Sequence, residues 1–221
     1  MIKACIFDLD GTLLNTLPTI KHYLNATLGK FGYRDVSDSD TKRYIGDGAY
    51  MLIKRALGEQ GESDEEKILE ALSDYKAAYD ASPLYLTEIY EGVPEMLRAL
   101  KNKGVRLAVL SNKPDSAAVA VVSHFFCDLF DIVRGGIDGV PLKPDATSAL
   151  DILEKMNVAP DEAAFIGDTA VDIETAGNMG AGLSVGVLWG FREKEELSEA
   201  GADLICSRAE EIASHIGGRN E

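Results

Sequence analysis

The sequence predicts an α/β protein, a doubly wound parallel sheet with a helical cap inserted after its first strand. Three observations lead there. Ile2-Lys3-Ala4-Cys5-Ile6-Phe7 is a short apolar run with the character of a buried strand. From Tyr90 onward, apolar runs alternate with amphipathic stretches, the pattern of parallel strands joined by crossover helices. Between these regions the periodicity is helical, with no convincing strand. The predicted division is therefore a core of residues 1–14 plus 86–221 and a cap of residues 15–85.

Within the insertion, Ile20, Leu24, Thr27, Leu28 and Phe31 recur at helical spacing, and Pro18 suits a first turn. Ala49, Leu52, Ile53, Ala56 and Leu57 form a second stripe that closes at Gly58. The third, Ile68, Leu72, Tyr75 and Tyr79, opens at Ser63-Asp64-Glu65-Glu66, which resembles a capping box. Pro83 breaks that run. Val93, Met96, Leu97 and Leu100 then mark a helix that ends at Gly104, and its Lys-rich last turn complements the helix dipole. Strands are expected over 105–110, 132–133, 163–166, 183–188 and 204–206, with helices over 117–126, 146–156 and 173–179.

Composition narrows the function. A chain of 221 residues, 46% hydrophobic and 27% charged, is long enough for one sizeable core or one domain inside another. The formal charge of −15 argues against nucleic acid or an anionic membrane as partner, since both would be repelled. It leaves room for a small anionic substrate held by the local field of a pocket. No apolar stretch approaches the roughly 20 residues of a membrane span, and no secretion signal is recognisable, so a cytoplasmic enzyme, monomer or homodimer, is expected. Cys5, Cys127 and Cys206 are odd in number and far apart, which predicts buried free thiols. The three histidines lack zinc-ligand spacing.

Chemistry is concentrated in four polar clusters, each just after a predicted strand. They are Asp8/Asp10/Thr12, Ser111-Asn112-Lys113, Lys143-Pro144, and Gly167-Asp168-Thr169 with Asp172. Each has a bland alternative. Ser111 can cap a helix, Lys143 can be a solvated lysine, and Asp168 and Asp172 can favour a helix start. Jointly they fall at one edge of one sheet, where open α/β sheets bind ligands. Period-two geometry puts Asp8 and Asp10 on one side of an extended chain, where they repel unless a cation or proton lies between them. This set suits phosphoryl transfer to a carboxylate nucleophile with a hard cation. Magnesium takes oxygen ligands of the kind Asp8 and Asp168 supply. Ser111 and Lys143 can hold the phosphate's equatorial oxygens, and Asp10 can protonate the leaving alcohol and then deprotonate water.

These four motifs, in this order, resemble those of the haloacid dehalogenase superfamily of phosphatases, and the resemblance covers essentially the whole chain. It implies a Rossmann-like core and a helical cap. It further implies Asp8 as nucleophile, forming an aspartyl-phosphate, and Asp10 as general acid/base with its carbonyl on Mg2+. Thr12 would orient Asp10, Ser111 and the Asn112 amide would bind phosphate, and Lys143 would neutralise the nucleophile and the transferring group. Asp168 would ligate magnesium, with Asp172 ligating or backing it. Asp10 also disfavours dehalogenation, since family dehalogenases lack a matching acid.

Finer features, among them Tyr44-Ile45-Gly46-Asp47-Gly48 and Val187-Leu188-Trp189-Gly190-Phe191-Arg192, resemble the phosphoglycolate phosphatase group. That implies 2-phosphoglycolate as substrate. Gly46 and Gly48 would admit it closely, and Arg43 or Arg55 would hold its carboxylate. Pyrophosphatase, nucleotidase and sugar-phosphate phosphatase or phosphomutase activities are the neighbouring alternatives, and a non-catalytic phospho-receiver is the alternative of another class. Asn15 stands where many relatives carry an acid, at the hinge into the cap.

Overall fold

The computed structural model describes residues 1–216. Strand β1 (Ala4–Phe7) and the two-residue β2 (Leu14–Asn15) lead into four helices, α1 (Leu17–Lys30), α2 (Asp38–Tyr44), α3 (Gly48–Gly58) and α4 (Glu65–Ala81). The chain returns through β3 (Glu88–Ile89) and α5 (Val93–Asn102) to β4 (Arg106–Pro114), α6 (Asp115–Phe126), β5 (Ile132–Gly136) and α7 (Thr147–Met156). It continues through β6 (Ala163–Gly167), α8 (Ala170–Met179), β7 (Leu183–Val187), α9 (Lys194–Glu199), β8 (Leu204–Cys206) and α10 (Ala209–His215).

The main sheet has the order β5-β4-β1-β6-β7-β8 with every pair parallel. The chain winds outward from β1 through β4 to β5, then restarts on the other side of β1 with β6. That reversal opens a crevice between the carboxyl ends of β1 and β6. β1 is completely buried, as a central parallel strand must be. Its alternate side chains enter different cores. Cys5 and Phe7 join Leu97, Val109, Ile166 and Ile212 on one face, whereas Ala4 and Ile6 join Ile152, Phe165 and Met179 on the other.

A third apolar cluster belongs to α1–α4, where Ile20, Leu24, Leu28, Ile53, Leu57, Ile68 and Tyr75 pack together with Ala117 of α6. The two crossings into this helical segment are tied to each other. Leu14 pairs antiparallel with Ile89, and Asn15 with Glu88. Thr19 Oγ1 donates to the Tyr85 carbonyl at 2.6 Å, and Tyr23 OH donates to the Ser82 carbonyl at 2.9 Å.

Several local expectations need correction. β2 and β3 were not expected, because two residues carry no periodicity. Nor was α2, which buries only Thr41 and Tyr44 and is held by a reciprocal capping box between Ser37 and Asp40. At α4 the expected box is a simple cap, with the Asp64 carboxylate accepting from Glu66 N. Ser111 lies inside β4 and caps no helix. All three cysteines are free, but Cys127 is exposed, at φ +45° just past the end of α6. Among the described residues, no helix is long and apolar enough to cross a membrane.

Candidate active site

All four polar clusters meet at the carboxyl edge of the sheet. They line a cavity of about 70 Å3 that also takes Gly46, Gly48, Leu52, Tyr75, Lys76 and Tyr79 from the helical segment. Asp8 leaves β1 with its N–H donated to the Ile166 carbonyl at 2.9 Å, so sheet geometry continues up to the carboxylate. The chain then turns at Gly11, where φ is +89° and a Cβ would stand 2.3 Å from Asp168 Oδ2. Only glycine satisfies both demands.

Asp168 follows β6 and is wholly buried. Thr12 Oγ1 donates to its Oδ1 at 3.0 Å and Phe191 N to its Oδ2 at 2.8 Å. Thr12 therefore holds Asp168 and not Asp10, which corrects the role the resemblance implied. The turn at Gly11 carries the hydroxyl toward the β6 side. Trp189 Nε1 locks the same turn by donating to the Thr12 carbonyl at 2.9 Å, and Gly190 lets it approach, since a Cβ there would lie 2.4 Å from Asp168.

Lys143 is the electrostatic centre. Its ammonium donates to Asp172 Oδ1 at 2.7 Å and stands 2.9 Å from Asp8 Oδ1, with its side chain 2% exposed. Asp172 Oδ2 accepts from Thr169 N at 3.1 Å and Thr169 Oγ1 at 2.9 Å, the capping box that starts α8. The helix-start reading of Asp172 thus holds alongside its ion pair. Burial works against the charge of Lys143, but Asp172 and Asp8 outweigh it and hold the ammonium above its ordinary value. Burial likewise drives Asp8 up to about 6, with Lys143 opposing. Asp168 is pushed well above the carboxylate range by burial, then by Asp172 and Asp8.

These carboxyl groups fit a divalent cation. Asp8, Asp168 and Asp172 each offer an oxygen within 4.8 Å of the others. When ionised they outnumber Lys143 by two charges in a buried setting, and Asp8 Oδ1, despite its nearness to Lys143, has no aligned hydrogen bond. Asp10 is not part of this carboxylate cluster. Its two oxygens each accept from Lys113 Nζ at 3.0 Å, and the same ammonium donates to Tyr79 OH at 2.6 Å.

Ser111 is buried on the cavity wall beside Asn112. The Asn112 side chain is committed elsewhere than to phosphate. Nδ2 donates to the Gly46 carbonyl at 2.9 Å and to the Lys143 carbonyl at 3.0 Å, and Oδ1 accepts from Lys143 N at 2.8 Å. It is a clamp that fixes the Lys143 backbone and docks the Gly46 loop. The two expected substrate arginines lie outside the cavity. Arg43 pairs with Asp40 at 2.7 Å and Glu59 at 3.1 Å, while Arg55 pairs with Asp47 and donates to the Tyr44 carbonyl at 2.9 Å. Gly46 and Gly48 do line it.

A family model for haloacid dehalogenase-like hydrolases matches residues 5–185. The chain belongs to this family. It is 34% identical to a phosphoglycolate phosphatase of Rhodospirillum rubrum over 98% of this chain and 92% of that protein. A similar enzyme name attaches to an Aquifex aeolicus protein that is 30% identical over 96% and 95% of the two chains. A solved chain from Haemophilus somnus, a predicted phosphoglycolate phosphatase, has a TM-score of 0.88 and 28% identity, covering 97% of each chain. As a haloacid dehalogenase-like hydrolase, the protein is a phosphoric monoester hydrolase resembling the phosphoglycolate phosphatases.

Sequence reasoning passed over Lys113, although it stands in a cluster already singled out. It also passed over Lys76, which among the described residues has no ion-pair partner and is the basic side chain that α1–α4 present to the cavity. The helical stripe Leu72, Tyr75 and Tyr79 was the available signal, since Lys76 sits beside it on α4.

Proposed function

We propose that this enzyme is a magnesium-dependent phosphatase of a small phosphomonoester, 2-phosphoglycolate first, acting through an aspartyl-phosphate on Asp8. The observation that carries the reading is the convergence of three buried carboxylates, two of them paired with Lys143, at the cavity that Ser111 lines, with Asp8 Oδ1 lacking an aligned hydrogen-bond donor. Residues 15–85 act as the cap over a core of 1–14 and 86–221.

An Asp8 carboxylate oxygen attacks phosphorus, forming the O–P bond as the bond to the substrate's alkoxide breaks. Asp10 gives that alkoxide its proton. Asp10 then takes a proton from water as the water oxygen attacks the same phosphorus, and the bond to Asp8 breaks to release phosphate. Ser111 and Lys143 hold the equatorial oxygens, where charge sits during transfer. Asp8, Asp168, the Asp10 carbonyl and, directly or through its neighbours, Asp172 would hold Mg2+, which would supply positive charge to the phosphoryl oxygens. Thr12, Phe191 and Trp189 keep Asp168 in place.

The substrate assignment draws on the names of the relatives, on the small cavity and on Lys76, placed to meet a second anionic group. The test is phosphate release from 2-phosphoglycolate, pyrophosphate, nucleoside monophosphates and sugar phosphates, with Mg2+ and with chelator. Mg2+-dependent turnover highest on 2-phosphoglycolate supports the proposal. Turnover highest on another compound keeps the chemistry and removes the substrate, and turnover untouched by chelator overturns the metal.

A further inference from the structure

We infer that Lys113 is the positioning residue for Asp10, and that Tyr79 is the cap side chain that holds Lys113 in place. An ammonium has three N–H donors and no acceptor. Here the ammonium spans both oxygens of Asp10 at equal distance and donates to Tyr79 OH. Contact with both oxygens fixes the plane of the Asp10 carboxylate as well as its distance. Tyr79 contributes twice, because the ammonium also lies 4.4 Å from its ring centroid.

Stability alone is a poor reason for this pair. The side chain of Lys113 is 4% exposed, and a buried ion pair often does no better than apolar residues of the same volume. The pair is also in the wrong place for a purely structural role, since Asp10, Lys113 and Tyr79 all line the cavity. Asp10 and Lys113 come from the sheet edge and Tyr79 from α4, so the geometry of the acid is set partly by the helical segment. A general acid works only when its proton lies within hydrogen-bond reach of the leaving oxygen, and a carboxylate free to rotate spends most of its time elsewhere.

This inference rests on the assignment of Asp10 as acid/base, and the experiment separates the two. Values of kcat/KM are measured on the alkyl phosphate that the wild type turns over best and on p-nitrophenyl phosphate. The second leaving group departs as a stable anion and needs little help from an acid. Because kcat/KM covers only steps through transfer to Asp8, the later water step does not enter. Asp10→Asn is expected to fall far more on the alkyl phosphate. Lys113→Met should follow the same pattern with about a 10- to 100-fold loss on the alkyl phosphate, and Tyr79→Phe with about 10-fold. Both should change p-nitrophenyl phosphate turnover by no more than about threefold, and Lys113→Arg should restore part of the loss. Equal losses on both substrates, or no loss in Lys113→Met, overturn the inference. Tyr79→Phe is near-isosteric, and an unchanged melting temperature shows that its effect is local. If Asp10→Asn shows no dependence on leaving group, the acid/base assignment itself fails.

Discussion

The sheet edge and the helical segment handle charge in opposite ways. At the edge, Lys143 is 2% exposed and shared by Asp8 and Asp172, so each charge is fixed by another and has little freedom to turn. On the helices, Arg43 is 59% exposed and satisfied by Asp40 and Glu59 on the same surface. Strand ends dictate where a side chain points, because the sheet's hydrogen bonds continue to Asp8. A residue on a helix surface is free to find any acid within reach. The lesson is that a paired charge near a site acts there only when its partners belong to the site as well.

Four outcomes would break or sharpen that contrast. Lys143→Met should lower kcat by on the order of 10³-fold, as loss of a preorganised charge at a transferring group does. It should also cost roughly 3–5 kcal/mol of stability without Mg2+, because it leaves ionised acids buried without a counter-charge. A drop in activity alone, with stability unchanged by thermal melting, would show that the acids do not depend on Lys143. Lys76→Met should raise KM for 2-phosphoglycolate about 10-fold and leave kcat within about twofold, the size of one charge-assisted hydrogen bond. An unchanged KM would remove Lys76 from substrate binding.

The third outcome concerns pH. Asp8 lies near 6 in the folded protein against 3.8 ordinarily, and Asp168 is raised as well. Ionising a raised acid costs the folded state, so the metal-free protein should lose stability as pH climbs from about 4 through 6. Added Mg2+ favours the ionised form, and its effect on melting temperature should therefore grow over the same interval. A Mg2+ effect that shrinks as pH rises would contradict the site. The smallest effect is expected from Arg43→Ala, with kinetics unchanged and melting within about 2 °C, as for an exposed ion pair.

Much of this was legible in the residues. Asp8, Lys143, Asp168 and Asp172 follow apolar runs that fold as buried strands or stand in short motifs beside them, and their convergence follows from parallel topology. What could not be read was partnership across the fold. Thr12 points to Asp168 because of the turn at Gly11, and Asn112 clamps Lys143 because two loops meet there. Arg43 and Arg55 were drawn away by Asp40, Glu59 and Asp47, neighbours whose position depends on helix packing. The short elements α2, β2 and β3 lacked enough residues for a period.

The central claim is that Asp8 carries the phosphoryl group. Wild-type enzyme quenched in acid during Mg2+-supported turnover, then digested and analysed by mass spectrometry, should show one added phosphoryl group on the peptide containing Asp8. Asp8→Asn should show none and should lose activity by on the order of 10⁴-fold or more. Phosphate on another residue, or full turnover by Asp8→Asn, would contradict the account.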